Sequence, residues 1–130
     1  MPATKSNSRN VLIIEDEKPL LNAIRIKLEN SGFEVITART VEQGLHYMED
    51  VARIDVIWLD HYLLGKGTGL DFVVAMKSNP KWKQIPIFVV SNTASPDKVR
   101  SYIKFGVTKY YTKADFRLDQ IIKDMQDMLN

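Results

Sequence analysis

Short, continuous apolar runs that alternate with amphipathic segments constrain this chain more than any other feature. Strands whose apolar residues follow one another without interruption are typical of a sheet covered on both faces, and therefore of a parallel sheet. Five such strands are predicted, at residues 11–14, 33–38, 56–59, 85–90 and 109–112. The pattern favours an α/β protein.

Five helices are predicted between and after these strands, because apolar residues recur there every three or four positions. Thr40 and Gln43 have the spacing of a capping box at the start of the second helix. Ser95 and Pro96 are typical of an N-cap and first helical residue for the fourth helix, and Asp115 is expected to cap the fifth. The apolar stripes comprise Leu20, Ile24 and Leu28; Val41, Leu45, Met48 and Ala52; Leu70, Val73 and Val74; Val99, Tyr102 and Ile103; and Leu118, Ile122, Met125 and Leu129.

The repeated strand–helix–strand units have the length expected of right-handed crossovers. We therefore predict a flavodoxin-like, doubly wound, five-stranded parallel sheet with strand order 2-1-3-4-5 and five helices on its two faces. The 130 residues leave room for one domain. Residues 1–9 are polar and are expected to form a flexible tail, and residues 10–130 the folded domain.

Composition excludes several classes of function. The chain has no cysteine, which rules out thiol nucleophiles, cysteine-bound zinc and iron–sulfur clusters. Its 18 basic and 16 acidic residues are too nearly balanced to indicate nucleic-acid binding. The apolar runs are too short to cross a membrane and no secretory signal precedes them, so we expect a cytoplasmic protein without membrane insertion.

Acidic residues follow two of the predicted strands. Glu15, Asp16 and Glu17 come after the first strand, and Asp60 comes after the third. Ligands of such sheets bind beyond the carboxyl ends of the strands, where the strand order reverses between these two. Two carboxylates about 4 Å apart repel by about 4 kcal/mol at an effective dielectric constant of 20. The cluster therefore needs a proton or a cation, and Mg²⁺ is the simplest candidate.

A hydroxyl and an amine lie at the ends of the fourth and fifth predicted strands. Ser91 ends the fourth strand and Lys113 follows the fifth. Each is common by itself, as a turn residue or a solvated surface residue. Together with the carboxylates, however, they form a set that can handle one phosphoryl group. The sequence lacks both GxxxxGK[ST] and GxGxxG, so ATP binding by this chain is not expected.

Four segments resemble the receiver domain of two-component response regulators. They are VLIIEDE, VIWLDHYLLGKGTGLD, IPIFVVSNT and KYYTKADF, and the resemblance runs from Val11 to about Leu129. It implies a Mg²⁺-dependent phosphoacceptor that receives its phosphoryl group from a sensor histidine kinase or a phosphotransfer protein. Such a domain is not an independent enzyme, since it catalyses only its own phosphorylation and slow autodephosphorylation.

The resemblance also implies a role for each matching position. It makes Asp60 the phosphoacceptor, and it makes Asp16 a direct and Glu15 a mainly water-mediated Mg²⁺ ligand, with Tyr62 a further ligand through its backbone carbonyl. Ser91 is expected to donate to the phosphoryl oxygen and Lys113 to form an ion pair with it. Tyr110 is expected to be the aromatic residue that rotates on activation. Movement of Ser91 toward the phosphoryl group would open space that Tyr110 fills, which couples the site to the surface.

The resemblance predicts where output occurs. Because the chain ends after Leu129, we expect output through a downstream protein partner, further phosphotransfer or a homodimer rather than through an attached effector. The expected contact face combines helix 4, strand 5 and helix 5, and exposes residues such as Lys98, Arg100 and Arg117.

Some positions depart from the family pattern. Leu64 and Ala114 stand where proline is frequent, and a trans peptide bond is expected before Ala114 because cis is costly for other residues. Asn92 replaces a small residue beside the phosphoryl pocket, where its amide could bind the anion or hinder access. Tyr62 is bulky enough to shield an acyl phosphate from water, which predicts slow autodephosphorylation.

Three other functions compete with a phosphorylation switch. A degenerate receiver could act as a phosphorylation-independent protein-binding scaffold. An aspartate-nucleophile phosphatase needs a general acid near its nucleophile, and Tyr62 occupies the usual place. A nucleic-acid-binding domain could use the bases around helix 4, which are Lys98, Arg100, Lys104 and Lys109.

Overall fold

Five parallel strands form the single sheet of this computed structural model, which describes residues 8–51 and 53–129. The strands lie in the order β2-β1-β3-β4-β5, as predicted. Their bounds are β1 Asn10–Ile14, β2 Glu34–Ala38, β3 Val56–Leu59, β4 Ile87–Ser91 and β5 Lys109–Thr112.

Five helices connect and follow the strands, again as predicted. Their bounds are α1 Lys18–Asn30, α2 Val41–Asp50, α3 Gly69–Lys77, α4 Pro96–Lys104 and α5 Leu118–Leu129.

Two apolar layers cover the two faces of the sheet. Side chains of α2, α3 and α4 pack on one face, with Ile57 and Leu59 of β3. Side chains of α1 and α5 pack on the other, with Val56 and Trp58 of the same strand. Successive strand residues point to opposite faces, so β3 is fully buried along its length. This double cover explains the continuous apolar runs.

Two of the predicted caps form, with one change of partner. Thr40 Oγ1 accepts a hydrogen bond from the Gln43 amide at 2.9 Å. The Gln43 side chain accepts in return from the amide of Arg39, one residue before the cap, at 2.8 Å. Ser95 accepts from the Lys98 amide at 3.4 Å and Pro96 is the first residue of α4.

The predicted cap of α5 is wrong. The helix begins at Leu118, three residues after Asp115. The Asp115 carboxylate instead accepts a hydrogen bond from the hydroxyl of Thr112, at the end of β5. Aspartate is favoured in turns as well as at caps, and here it stabilises the turn that follows β5.

The fourth strand begins two residues later than predicted. Pro86 precedes it and cannot donate a backbone hydrogen bond, although its carbonyl accepts one from Ile57 at 3.0 Å. The strand then extends through Ser91.

The ends of the predicted domain are only partly described. Residues 1–7 of the predicted tail, and Ala52 of the second apolar stripe, lie outside the described residues. Arg9 is described: its carbonyl accepts a hydrogen bond from Glu34 at 2.9 Å, and its guanidinium donates to the Leu129 carbonyl at 2.8 Å. The boundary at residue 10 stays a prediction.

Among the described helices, none has the length and apolar character needed to cross a membrane. The described part of the chain also has no cis peptide bond, as expected before Ala114.

Candidate functional site

The register of the central strands brings two carboxylates together. Ile14 of β1 pairs with Leu59 of β3, so the next residue of each strand lies at the same edge of the sheet. Those residues are Glu15 and Asp60, and both side chains are buried. The Asp60 amide donates to the Ile14 carbonyl at 2.9 Å, which extends the strand pairing to the site itself.

Asp16 completes an acidic cluster with these two residues. Each of the three side chains offers a carboxylate oxygen, and these oxygens lie within 4.8 Å of one another. The guanidinium of Arg39 donates twice to the Asp16 carbonyl, at 2.7 and 3.1 Å, and so fixes the turn after β1. Three oxygen ligands at this separation fit a hard divalent cation.

Lys113 supplies a positive charge to the cluster. Its Nζ donates to Glu15 Oε1 at 2.9 Å and to Asp60 Oδ2 at 3.3 Å. Burial alone would lower the pKa of Lys113, but the hydrogen bond to Glu15 and the charges of Asp60 and Glu15 outweigh it and raise this pKa. The lysine is therefore a permanent cation beside the two carboxylates.

Glu15 has the least favourable environment for a negative charge that the site shows. Burial and the charge of Asp60 raise its pKa from 4.5 to about 7, against the opposing effect of Lys113. One ammonium thus does not balance three carboxylates. A divalent cation would supply the missing charge, so the donor set fits a metal ion both in its atoms and in its charge.

The two oxygens of Asp60 have different partners. Oδ1 accepts a hydrogen bond from the His61 amide at 2.7 Å, whereas Oδ2 accepts from Lys113. The His61 carbonyl in turn accepts from the Gly69 amide at 2.9 Å, which ties the loop between β3 and α3 to the start of α3. We call this loop, residues 60–68, the acceptor loop after the predicted phosphoacceptor Asp60. A Cβ at position 69 would lie 2.4 Å from the Asp60 carbonyl oxygen, so this close approach requires glycine.

Ser91 and Tyr110 are connected through Thr93. Ser91 is fully buried at the end of β4. Its hydroxyl oxygen accepts from the Thr93 amide at 3.5 Å, and the Thr93 carbonyl accepts from the hydroxyl of Tyr110. The sequence pattern did not single out Thr93, although its place two residues after Ser91 puts it in the same loop.

Tyr62 contacts helix α4 through Lys98. Lys98 Nζ donates to Tyr62 Oη at 3.0 Å and to Thr93 Oγ1 at 2.7 Å. It also lies 4.5 Å from the centre of the Tyr62 ring. The hydrogen bond and charge of Lys98 lower the pKa of Tyr62. We call Tyr62, Lys98 and Thr93 the lysine bridge.

The lysine bridge changes the expected output face. Lys98 is half-buried and turned toward the site rather than exposed on that face. Arg100 and Arg117 are exposed, as expected, and Arg100 is paired with Asp97. Lys109, another base of the predicted basic group, lies 3.6 Å from the carboxylate of Asp124.

A contact between His61 and Tyr102 was also missed. Nδ1 of His61 and the hydroxyl of Tyr102 share a hydrogen bond of 2.6 Å. Burial and the charge of Lys98 lower the pKa of His61, and burial raises that of Tyr102. In the sequence, Tyr102 belongs to an apolar stripe and His61 to a loop, so their spacing carries no signal of a bond.

Comparison with known proteins reveals similarity over nearly the whole chain. The family model described as the response regulator receiver domain matches residues 11–126. Among curated proteins, the phosphate regulon transcriptional regulatory protein PhoB of Klebsiella pneumoniae is 29% identical over 107 residues. That match covers 82% of this chain and 45% of PhoB, so the chain spans less than half the length of this relative.

Solved structures show the same fold. The phosphorylated cyanobacterial phytochrome response regulator RcpA is 27% identical, with a TM-score of 0.80 over 93% of this chain and 91% of that one. The Mn²⁺-bound form of the response regulator Rcp1 is 26% identical, with a TM-score of 0.77 over 92% and 91% of the two chains.

Proposed function

Because the chain belongs to the response regulator receiver domain family, we propose that it is a signalling switch controlled by phosphorylation of Asp60. The observation that carries this proposal is the position of Asp60, which is buried between two further carboxylates and the amine of Lys113. RcpA, which has the same fold, is described in its phosphorylated form.

The phosphoryl group would come from a phosphohistidine of a sensor histidine kinase or a phosphotransfer protein. A carboxylate oxygen of Asp60 attacks phosphorus, an O–P bond forms, and the P–N bond to the donor imidazole breaks. The imidazole keeps the electron pair and takes up a proton. Lys113 offsets the negative charge of the transferred group, and the Ser91 hydroxyl donates to one of its oxygens.

Mg²⁺ is the proposed cofactor. Asp16 and Asp60 would hold it directly, Glu15 mainly through water, and Tyr62 through its backbone carbonyl. When bound, the ion neutralises charge on the phosphoryl oxygens and so favours transfer. The acidic cluster and its uncompensated charge support this assignment, as does the Mn²⁺-bound form of Rcp1.

The proposed switch runs from Ser91 to Tyr110. A phosphoryl group that draws the Ser91 hydroxyl inward would break its contact with the Thr93 amide. Because the Thr93 carbonyl accepts from Tyr110, movement of this loop would change the position of the tyrosine. Output would then pass through the face formed by α4, β5 and α5, either to a downstream protein or to a second copy of the chain.

Incubation with acetyl phosphate and Mg²⁺, followed by intact-mass and peptide mass spectrometry, tests the proposal. We expect one added phosphoryl group on the peptide that contains Asp60, and no addition in Asp60→Asn or in the presence of EDTA. Asp50→Asn is the matched control, because it removes an exposed carboxylate that pairs with His46 at 2.9 Å, away from the site. Modification of Asp60→Asn at the same rate would overturn the proposal.

The same experiment addresses the scaffold alternative. A chain that accepts no phosphoryl group from acetyl phosphate or from a phosphorylated phosphotransfer protein would act, if at all, through contacts independent of Asp60. We further propose that the protein is cytoplasmic and that its folded domain begins at residue 10.

A further inference from the structure

Tyr102 is a large polar side chain in the interior of the protein. It lies on α4 and is fully buried. Its hydroxyl shares the 2.6 Å hydrogen bond with His61 Nδ1, although 41 positions separate the two residues. A phenylalanine would fill most of the same volume, so packing alone does not account for a buried hydroxyl that needs a partner.

The main chain of His61 holds the proposed phosphoacceptor. Its amide donates to Asp60 Oδ1 at 2.7 Å, and its carbonyl accepts from the Gly69 amide. A shift of the His61 main chain would therefore disturb the orientation of the Asp60 carboxylate, and the ring of the same residue is bonded to α4 through Tyr102. The hydrogen bond to Tyr102 holds that ring in place.

The Tyr102 hydroxyl lies close to the start of α3. A Cβ built on Gly69 would lie 2.7 Å from this hydroxyl and 3.1 Å from the Cα of His61. The hydroxyl therefore packs directly against the backbone at the start of α3.

The ring of Tyr102 also contacts the proposed switch residue. Its centre lies 5.6 Å from that of His61 and 5.5 Å from that of Tyr110. Three rings from the acceptor loop, α4 and β5 thus form a continuous series. This route to Tyr110 is separate from the one through Ser91 and Thr93.

We propose that Tyr102 is a positioning residue for phosphorylation: through His61 it orients the Asp60 carboxylate, and through ring contact it couples that carboxylate to Tyr110. This inference rests on the proposed function. The buried side of α4 would then take part in the reaction as well as in packing. A buried group that is hydrogen-bonded defines one geometry more sharply than apolar contacts do.

Tyr102→Phe tests the inference, because it removes the hydroxyl and keeps the ring. We expect a severalfold lower initial rate of phosphorylation by acetyl phosphate, and a smaller shift of the Tyr110 ring signals in NMR spectra on phosphorylation. His61→Leu should lower the rate to the same extent, and the double variant should be no slower than either. His61→Asn, which can still bond the hydroxyl, should restore part of the rate.

Tyr111→Phe is the matched control. Tyr111 is also a buried tyrosine, whose hydroxyl donates to Asp124 at 2.6 Å, but it packs on the opposite face of the sheet. Both variants should lose similar stability in urea unfolding, whereas only Tyr102→Phe should slow phosphorylation. Equal phosphorylation rates in Tyr102→Phe, Tyr111→Phe and the unmodified protein would overturn the inference and leave the proposed function standing.

The ring ¹⁵N signals of His61 give a readout that does not depend on phosphorylation. We expect the Nδ1 signal to shift in Tyr102→Phe and to stay unchanged in Tyr111→Phe. An unchanged Nδ1 signal in Tyr102→Phe would overturn the inference directly. Failure of the unmodified protein to accept any phosphoryl group would instead overturn the proposed function, and this inference with it.

Discussion

The amine of Lys113 lies closer to Glu15 than to the proposed phosphoacceptor. The two distances are 2.9 Å to Glu15 Oε1 and 3.3 Å to Asp60 Oδ2. The Glu15 side chain is fully buried and that of Lys113 is 15% exposed, so water screens their attraction less than it would at the surface. The lysine therefore stabilises Glu15 at least as much as Asp60, and a phosphoryl group on Asp60 would have to share this charge with Glu15.

Removal of the lysine should cost stability as well as phosphorylation. Lys113→Met leaves Glu15 and Asp60 without their cation, and loss of one partner of a buried ion pair costs about 3 to 5 kcal/mol. Urea unfolding measures this loss. The double variant Lys113→Met, Glu15→Gln should recover much of the stability without recovering acetyl phosphate-dependent labelling. Full labelling in either variant would contradict the role given to Lys113.

The raised pKa of Glu15 predicts how stability depends on pH. Unfolding returns this group from a pKa of about 7 to its ordinary value of 4.5, so between these values the folded protein holds more protons than the unfolded chain. The free energy of unfolding of the metal-free protein should therefore fall as pH rises through this window. Asp60, Asp16 and Lys113 are the charged groups around Glu15.

Urea unfolding at pH 5.5 and pH 7.5 measures this dependence. Excess Mg²⁺ should raise stability more at the higher pH, where Glu15 is ionised and available to a cation. Glu15→Gln is the control, since it removes the titrating group and should flatten the profile. A metal-free protein whose stability does not fall across the window would contradict the raised pKa of Glu15.

Tyr62 should lengthen the life of the acyl phosphate. The lysine bridge holds this ring two residues after Asp60 and edge-on to the ring of His61, although the Tyr62 side chain is about half exposed. Tyr62→Asn should therefore shorten the phosphoryl half-life severalfold, measured by decay of the phosphorylated mass after the donor is removed. Tyr62→Phe keeps the ring beside Lys98 and should lie between the two. An equal or longer half-life in Tyr62→Asn would contradict shielding.

The close approach at Gly69 predicts a variant that affects the site through the backbone. Gly69→Ala places a Cβ 2.4 Å from the Asp60 carbonyl oxygen, so the acceptor loop must move. We expect a loss of about 1 to 3 kcal/mol of stability and a marked loss of labelling by acetyl phosphate.

Gly44→Ala is the comparison for this variant. Its Cβ would lie 2.6 Å from Ile14 Cδ1 and 3.2 Å from Phe72 Cε1, which are side-chain atoms and not backbone atoms of the site, and alanine favours the helix. Gly44→Ala should label at the normal rate. A Gly69→Ala protein that does the same would show that the acceptor loop tolerates displacement.

Much of the fold could be predicted because its signals are local. Continuous apolar runs indicated a sheet covered on both faces, and the alternation of strands and helices indicated a doubly wound sheet, for which 2-1-3-4-5 is one of the common strand orders. The errors were local too: Asp115 satisfies a turn instead of capping α5, and Pro86 delays the start of β4. In both places two local preferences compete, and the surrounding structure selects one.

The positions of Asp16, Asp60, Ser91 and Lys113 at strand ends were likewise visible in the sequence, because parallel strands bring their carboxyl ends to one edge. The chain by itself thus determined the sheet and the residue types available at that edge.

Which atoms meet was decided by the tertiary structure alone. Lys113 and Glu15 are 98 positions apart, and His61 and Tyr102 are 41 apart. Contacts of this kind depend on the packing of α4 and of the strand ends in three dimensions, and no periodicity along the chain encodes them.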